Sequence, residues 1–190
     1  MTQSNSKGGF GMKSVQRFLA ALVLGSLMVF SAQLNANAYS TNGCKWGSAT
    51  IKVDTRYVNG KFFTAIKQAI SNYTSATDVT MSYVDASGPG LKAENGDYGY
   101  TGWEGQASYT CALGRFIGVT ARLNMTYLPS SSDSHVPRLK VVWLHELGHS
   151  IGLGHVSTLK RVMYTSASAA YSAGVRSLTS DEIAGVNSIY

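Results

Sequence analysis

His145-Glu146-Leu147-Gly148-His149-Ser150-Ile151-Gly152-Leu153-Gly154-His155 is the stretch that decides the fold of this chain. It places three of the chain's four histidines, one glutamate and a glycine in the spacing H-E-x-x-H-x-x-G-x-x-H. On a helix, His145 and His149 lie one turn apart and point the same way. Two neutral imidazoles on one helical face make half of a tetrahedral zinc site. Gly152 can take the left-handed conformation that ends a helix, so the chain can turn back and bring His155 to the same metal. Three protein ligands leave a fourth position for water, the mark of a catalytic rather than a structural ion. Glu146, beside the first ligand, is then placed to act as general base.

The region downstream carries a resemblance. Met163 follows His155 in Arg161-Val162-Met163-Tyr164, and the chain closes with Leu178-Thr179-Ser180-Asp181-Glu182-Ile183-Ala184-Gly185-Val186-Asn187-Ser188-Ile189-Tyr190. Together with the histidine motif this resembles the metzincin zinc endopeptidases, and within them the matrixins (matrix metalloproteinase-like enzymes). The resemblance implies a tight turn that puts Met163 beneath the metal. It also implies a last helix opened by a Leu-Ser-x-Asp-like cap. Thr179 or Ser180 can cap that helix while Asp181 and Glu182 complement its positive end. Ile183, Val186 and Ile189 fall on one face.

The fold expected is mixed α+β / α/β: a metzincin-like catalytic domain with a twisted mixed sheet, a long helix in its N-terminal half, the zinc helix, the Met-turn and the C-terminal helix. The function implied is zinc-dependent hydrolysis of peptide bonds in a protein or peptide substrate, with one catalytic Zn2+ on His145, His149 and His155. The alternative is a zinc-containing binding module of the same fold, inactive or restricted to a narrow substrate.

The sequence departs from the family in places. Matrixins usually follow Met-Tyr with proline; here Thr165 stands there. Some other metzincins carry a metal-proximal tyrosine two residues after the methionine, a position also taken by Thr165, so Tyr164 is not assigned that role. Only His135 lies outside the motif, and it reads as a surface or capping residue rather than a ligand. A second, structural zinc therefore cannot be built as matrixins build it. No aspartate-rich loop supports structural calcium.

Residues 1–38 read as a secretory signal peptide. Lys13 and Arg17 precede the apolar run from Phe18 through Phe30, and Ala36-Asn37-Ala38 offers small residues before a cut at Tyr39. The run is too short and wrongly flanked for a membrane span; an uncleaved anchor is the alternative. Met1 or Met12 can serve as the start. Residues 39–190 then form a single domain of ample size for a core, expected to be secreted, extracellular, monomeric and free of stable membrane association. The chain has 16 Lys+Arg against 10 Asp+Glu, a net charge of +6. Three of the basic residues sit in the leader, so the remainder is weakly basic, and no basic run interleaved with aromatics argues for nucleic acid.

Cys44 and Cys111 are the two cysteines, and an even pair in a secreted chain reads as one disulfide. The other reading makes Cys44 a latency switch on the zinc, as a propeptide cysteine is in matrixins. Asn42-Gly43-Cys44-Lys45-Trp46 does not resemble that switch sequence.

Alternation predicts a strand over Ser48–Val58, and further strands are read over Val79–Val84, Ala107–Ala112 and Phe116–Tyr127, the last patterned by Ile117, Val119, Ala121, Leu123 and Met125. Helical spacing of Phe63, Ile66, Ala69, Ile70 and Tyr73 predicts a helix over Lys61–Thr74. Gly88–Gly105 reads as loops around the sheet edge, or, through Tyr98, Tyr100 and Trp103, as a carbohydrate-binding aromatic strip. Pro137 suits the first turn of the zinc helix. Ala107–Ala112 is the candidate edge strand for pairing with an extended substrate.

Overall fold

The structure, a computed structural model, describes Met1 and residues 39–88 and 90–190. Except for Met1, the expected leader lies outside the described residues. Every element among the described residues lies in the compact unit Asn37–Tyr190.

They run β1 (Ser40–Thr41), β2 (Thr50–Tyr57), α1 (Gly60–Ala76), β3 (Thr80–Val84), β4 (Leu91–Gly96), β5 (Gly105–Ala112), β6 (Arg115–Asn124), a 3-10 turn (Asp133–His135), α2 (Val136–Ser150), β7 (Leu153–Gly154), α3 (Ala167–Ser172) and α4 (Ser180–Ile189). Five strands form one mixed sheet in the order β3-β2-β4-β6-β5, parallel except for the β5–β6 hairpin. This is the mixed α+β architecture expected from the sequence.

Parallel pairing of β2 and β3 needs a crossover, and α1 supplies it. The helix buries Phe62, Ala65, Ile66, Ala69, Ile70 and Tyr73, a stripe at three- and four-residue steps. Phe62, rather than the expected Phe63, is the core residue; Phe63 is half-buried, edge-on to Tyr83. The α1 stripe packs against α2. The Trp143 indole of α2 is fully buried and donates to the Phe62 carbonyl at 3.2 Å. The Tyr73 hydroxyl donates to the Leu144 carbonyl at 2.7 Å. Each buried ring is therefore satisfied at its polar end, and truncating one as large as Trp143 would cost about 3–5 kcal/mol. These two contacts fix the roll of α2, and so the direction in which its histidines point.

Two expectations are corrected. The first concerns Gly88–Gly105, which is not all loop. Leu91–Gly96 is a central strand, hydrogen-bonded to β2 on one side and β6 on the other. Leu91 and Ala93 turn into the core, while Glu94 on the other face pairs with Lys92 and Arg122. With two inward apolar residues and a Glu-Asn-Gly ending, the strand leaves almost no alternation to read.

The second concerns the inward face of β6. A bulge sets Thr110 opposite Gly118 but Cys111 opposite Phe116, leaving Ile117 without a partner. The extra residue flips the phase: Phe116 is buried and Ile117 is 64% exposed. Val119, Ala121 and Leu123 face the core as the pattern requires, and Met125 lies beyond the strand end, exposed.

The aromatic loop is also organised as structure. Buried Asn124 accepts from the Tyr98 N–H and donates to the Gly99 carbonyl and the Thr101 hydroxyl. Tyr98 leans on Trp103 at 43°, and Tyr100 meets Tyr127 edge-on at 85°, so the rings do not share a plane.

Candidate metal centre and cleft

Val136 and Pro137 open α2, where proline's missing N–H costs no hydrogen bond. Its last turns carry His145, Glu146 and His149. Past Ser150 the chain reverses at Gly152, whose φ of +114° favours glycine. Space demands glycine as well: a Cβ there would lie 2.6 Å from the Cys44 carbonyl oxygen. The reversal delivers His155.

The three Nε2 atoms face one another at 3.1 Å (His145–His155), 3.1 Å (His145–His149) and 3.0 Å (His149–His155). Tetrahedral zinc with bonds of 2.0–2.1 Å would set its nitrogen ligands about 3.3 Å apart. The donor set therefore fits the ion with a small outward adjustment. Among the described residues this is the one cluster of metal-ligating type.

The tautomers fit too. His145 Nδ1 faces the Val162 carbonyl at 2.7 Å, and His149 Nδ1 faces the Leu153 carbonyl at 2.9 Å. A carbonyl only accepts, so each Nδ1 carries the proton and each Nε2 presents a lone pair to the centre. Burial, then the neighbouring His149, lowers the pKa of His145 to about 3. Burial first lowers that of His149 to about 4 and also depresses His155. All three imidazoles are neutral at pH 7, the form a metal needs.

Glu146 is buried at the back of a cleft of about 560 Å³. Burial, then the charge of Glu104, pushes its carboxyl well above the usual carboxylate range. The cleft is bounded by the three histidines, by Gly105, Gln106 and Ala107 of β5, and by Thr165, Ser166 and Ala167 after the Met-turn. Because β5 ends the sheet, its outer backbone groups are open for pairing. At one side, the Glu104 carboxylate crosses to α3. It accepts from the Ser168 N–H at 2.8 Å and from the Ser168 hydroxyl, and it pairs with Arg138 at 3.3 Å.

Met163 is buried under α2. A Cβ on Gly148 would lie 2.5 Å from the Met163 sulfur and 2.9 Å from the Tyr73 hydroxyl, so glycine there is what lets the turn close beneath the helix. Glu182 holds the turn from below. Its carboxylate, buried at 2% exposure, accepts from the Met163 N–H at 3.2 Å and from the Thr179 N–H at 2.9 Å and hydroxyl at 2.5 Å. The expected last helix is thus present and capped at Thr179. Its glutamate not only meets the helix dipole but also links the helix start to the Met-turn.

The other residues singled out in the sequence fall as follows. Cys44 and Cys111 are joined at an S–S distance of 2.01 Å, tying the N-terminal segment to the edge strand. Bonded in this way, Cys44 is not a zinc ligand. His135 sits in the turn before α2, its Nδ1 at 3.4 Å from the Ser132 N–H, in capping contact. Thr165 lines the cleft, and Tyr164 instead bridges to Val156. Sequence reasoning did not single out Gly105, Glu104, Arg138 or Asn42, whose importance depends on contacts across the fold. For Glu182 it foresaw the helix start alone.

Comparison with known families matches the matrixin model to residues 49–190. Matrilysin of Rattus norvegicus is 45% identical to this chain over 64 residues, which is 34% of this chain and 23% of matrilysin. The matched segment thus spans under a quarter of that relative's length.

Proposed function

The chain belongs to the matrixin family, and from that premise we propose that it is a secreted zinc endopeptidase with Glu146 as general base. Membership implies a zinc metalloprotease-like domain and peptide substrates. The single observation that carries the finer reading is the convergence of three neutral Nε2 atoms beside a buried glutamate, at the back of a cleft rimmed by an edge strand.

His145, His149 and His155 would hold the zinc, and Met163 would underlie it. Zinc, when bound, supplies Lewis acidity and lowers the pKa of coordinated water toward about 7. The remaining chemistry falls to the chain. Open N–H and C=O groups of Gly105–Ala107 pair with an extended peptide and present its carbonyl to the centre. A Glu146 oxygen accepts the proton of the attacking water, and the same carboxyl returns it to the leaving amine nitrogen. Burial of Glu146 favours proton uptake during that exchange. The wall formed by Glu104, Arg138 and Ser168 limits which side chains fit at that side of the cleft.

Secretion follows from the signal-like residues 1–38, with residues 39–190 as the mature domain, and is supported by the Cys44–Cys111 bridge, since disulfides persist in oxidising compartments. Among the described residues no helix is long and apolar enough to cross a membrane. The test is cleavage of a mixed quenched-peptide library by purified, zinc-loaded protein, with and without chelator. Chelator-sensitive cleavage supports the reading. A folded, zinc-loaded protein that cleaves nothing would favour the binding module instead.

A further inference from the structure

We infer that Asn42 is a positioning residue for the three-histidine centre, acting from a segment that caps the metal-bearing helix from outside. The inference rests on the zinc reading above.

A helix leaves its last carbonyls without partners, and α2 ends where the ligands are. Besides the reversal's own N–H groups of Ile151 and Gly152, partners of those carbonyls come from the two ends of the domain. The His149 carbonyl accepts the Asn42 side-chain amide at 2.8 Å, and the Ser150 carbonyl accepts the Trp46 indole N–H at 2.8 Å. The Ile151 carbonyl accepts the Tyr190 hydroxyl at 3.1 Å, and the Gly152 carbonyl accepts the Asn42 backbone N–H at 2.8 Å. Beyond the reversal, Leu153 and Gly154 pair antiparallel with Thr41 and Ser40. The reversal is thus tied to the rest of the domain at each of these positions, in addition to its own Gly152 N–H to His149 carbonyl bond at 3.2 Å and the His149 Nδ1 contact with the Leu153 carbonyl at 2.9 Å.

Asn42 hydrogen-bonds to both the helix end and the apex of the reversal. Its side chain holds the helix end at the second ligand, and its backbone holds the apex that aims the third. The direction of its amide is set, because Oδ1 accepts the Cys44 N–H at 3.1 Å and leaves Nδ2 for the His149 carbonyl. The segment is anchored as well, by the Cys44–Cys111 bridge to β5 and by the Lys45 ammonium on the Ile189 carbonyl at 2.8 Å. It lies so close that a Cβ on Gly152 would meet Cys44. Removing the amide donor leaves the His149 carbonyl with backbone N–H partners alone, Gly152 at 3.2 Å among them, and cuts the side-chain tie from the helix end to the segment that also holds the apex. An aspartate in its place keeps the acceptor for Cys44 but opposes an oxygen to the His149 carbonyl.

The experiment measures zinc affinity by competition with a chromophoric chelator, together with the visible spectrum of the Co2+-substituted protein. It uses wild type, N42A, N42D and, as a control on the same segment, K45A. Zinc affinity is expected to fall about tenfold or more in N42A and N42D, within the range for residues that support metal ligands, with altered cobalt bands. K45A should stay within about twofold of wild type, because its contact lies away from the ligands. Circular dichroism of the metal-free proteins checks folding, and the near-isosteric N42D carries the test if N42A does not fold. Zinc affinity and cobalt bands of N42D matching wild type would overturn the inference, as would an equal loss in K45A. Failure of wild type to bind zinc would instead remove the zinc reading beneath it.

Discussion

Replacing Gly105 with alanine should disable catalysis while leaving the metal in place. Gly105 opens the edge strand directly over Glu146, the base of the proposed reaction: an added Cβ would lie 2.4 Å from Glu146 Oε1 and 2.9 Å from both Cγ and Cδ. Ordinary contacts need roughly 3.5 Å, so the carboxylate must retreat by about 1 Å. Nothing in the backbone opposes alanine, since Gly105 is not among the residues with positive φ and lies in a strand. The pressure falls on the end of a side chain and not on the histidine rings. A misplacement of about 1 Å in a reacting group can cost about a hundredfold in rate, equivalent to about 2.7 kcal/mol of barrier. The assay is kcat and KM on a quenched peptide, alongside zinc content and melting temperature. Turnover should drop by about two orders of magnitude with KM changed only a few-fold and about one zinc per chain retained. A kcat within about threefold of wild type would refute the argument that Gly105 sets the position of Glu146, and loss of zinc would refute the claim that only the carboxylate moves.

Three other perturbations test the supports of the site. C44S/C111S opens a crosslink with a sequence separation of 67, and equilibrium urea unfolding should show a loss of about 4 kcal/mol; a loss below about 1 kcal/mol would mean the bridge adds little. E182A strands the buried Met163 N–H and the half-buried Thr179 N–H and should cost about 3 kcal/mol, with E182Q, which keeps an acceptor oxygen, recovering part of it. Asp54, held low by its hydrogen bonds to Arg56, has a folded pKa below its unfolded value of about 4. Its contribution is therefore full above that value and fades as pH falls through the folded one. The stability gap between wild type and D54N should stay constant from about pH 7 to 5 and narrow below about pH 4; a gap that widens on acidification would contradict this pairing.

How much of this was legible beforehand depended on whether the signal was local. The helix–turn–ligand geometry of His145 to His155 is written into neighbouring residues, because the 3.6-residue period aligns the first two histidines and glycine permits the reversal. The helix α1 and strands β2 and β6 likewise announced themselves by period, and β3 and β5 were also read as strands. β4 did not, because its outward face is kept by ion pairs from Lys92 and Arg122 to Glu94, and two inward residues are too few to show alternation. The phase of β6 was lost to one bulged residue, which no sequence pattern displays. Within the candidate site, the groups packed against the histidine segment, Glu146 and Met163 come from far along the chain. Asn42 reaches His149 across 107 residues, and Gly105 and Glu182 matter only through what the fold places against them. A glycine before an edge strand or a glutamate in a helix's first turn carries no mark of such contacts.

The central claim is that Glu146 is the base of a zinc endopeptidase, and its most direct test sets wild type beside Glu146→Ala. Both would be zinc-loaded, with zinc content measured, and both assayed on the same quenched-peptide library with and without chelator. The account predicts about one zinc per chain in each protein, cleavage by wild type that chelator abolishes, and a variant slower by at least about a hundredfold. Full hydrolysis by a folded, zinc-loaded Glu146→Ala protein would contradict it.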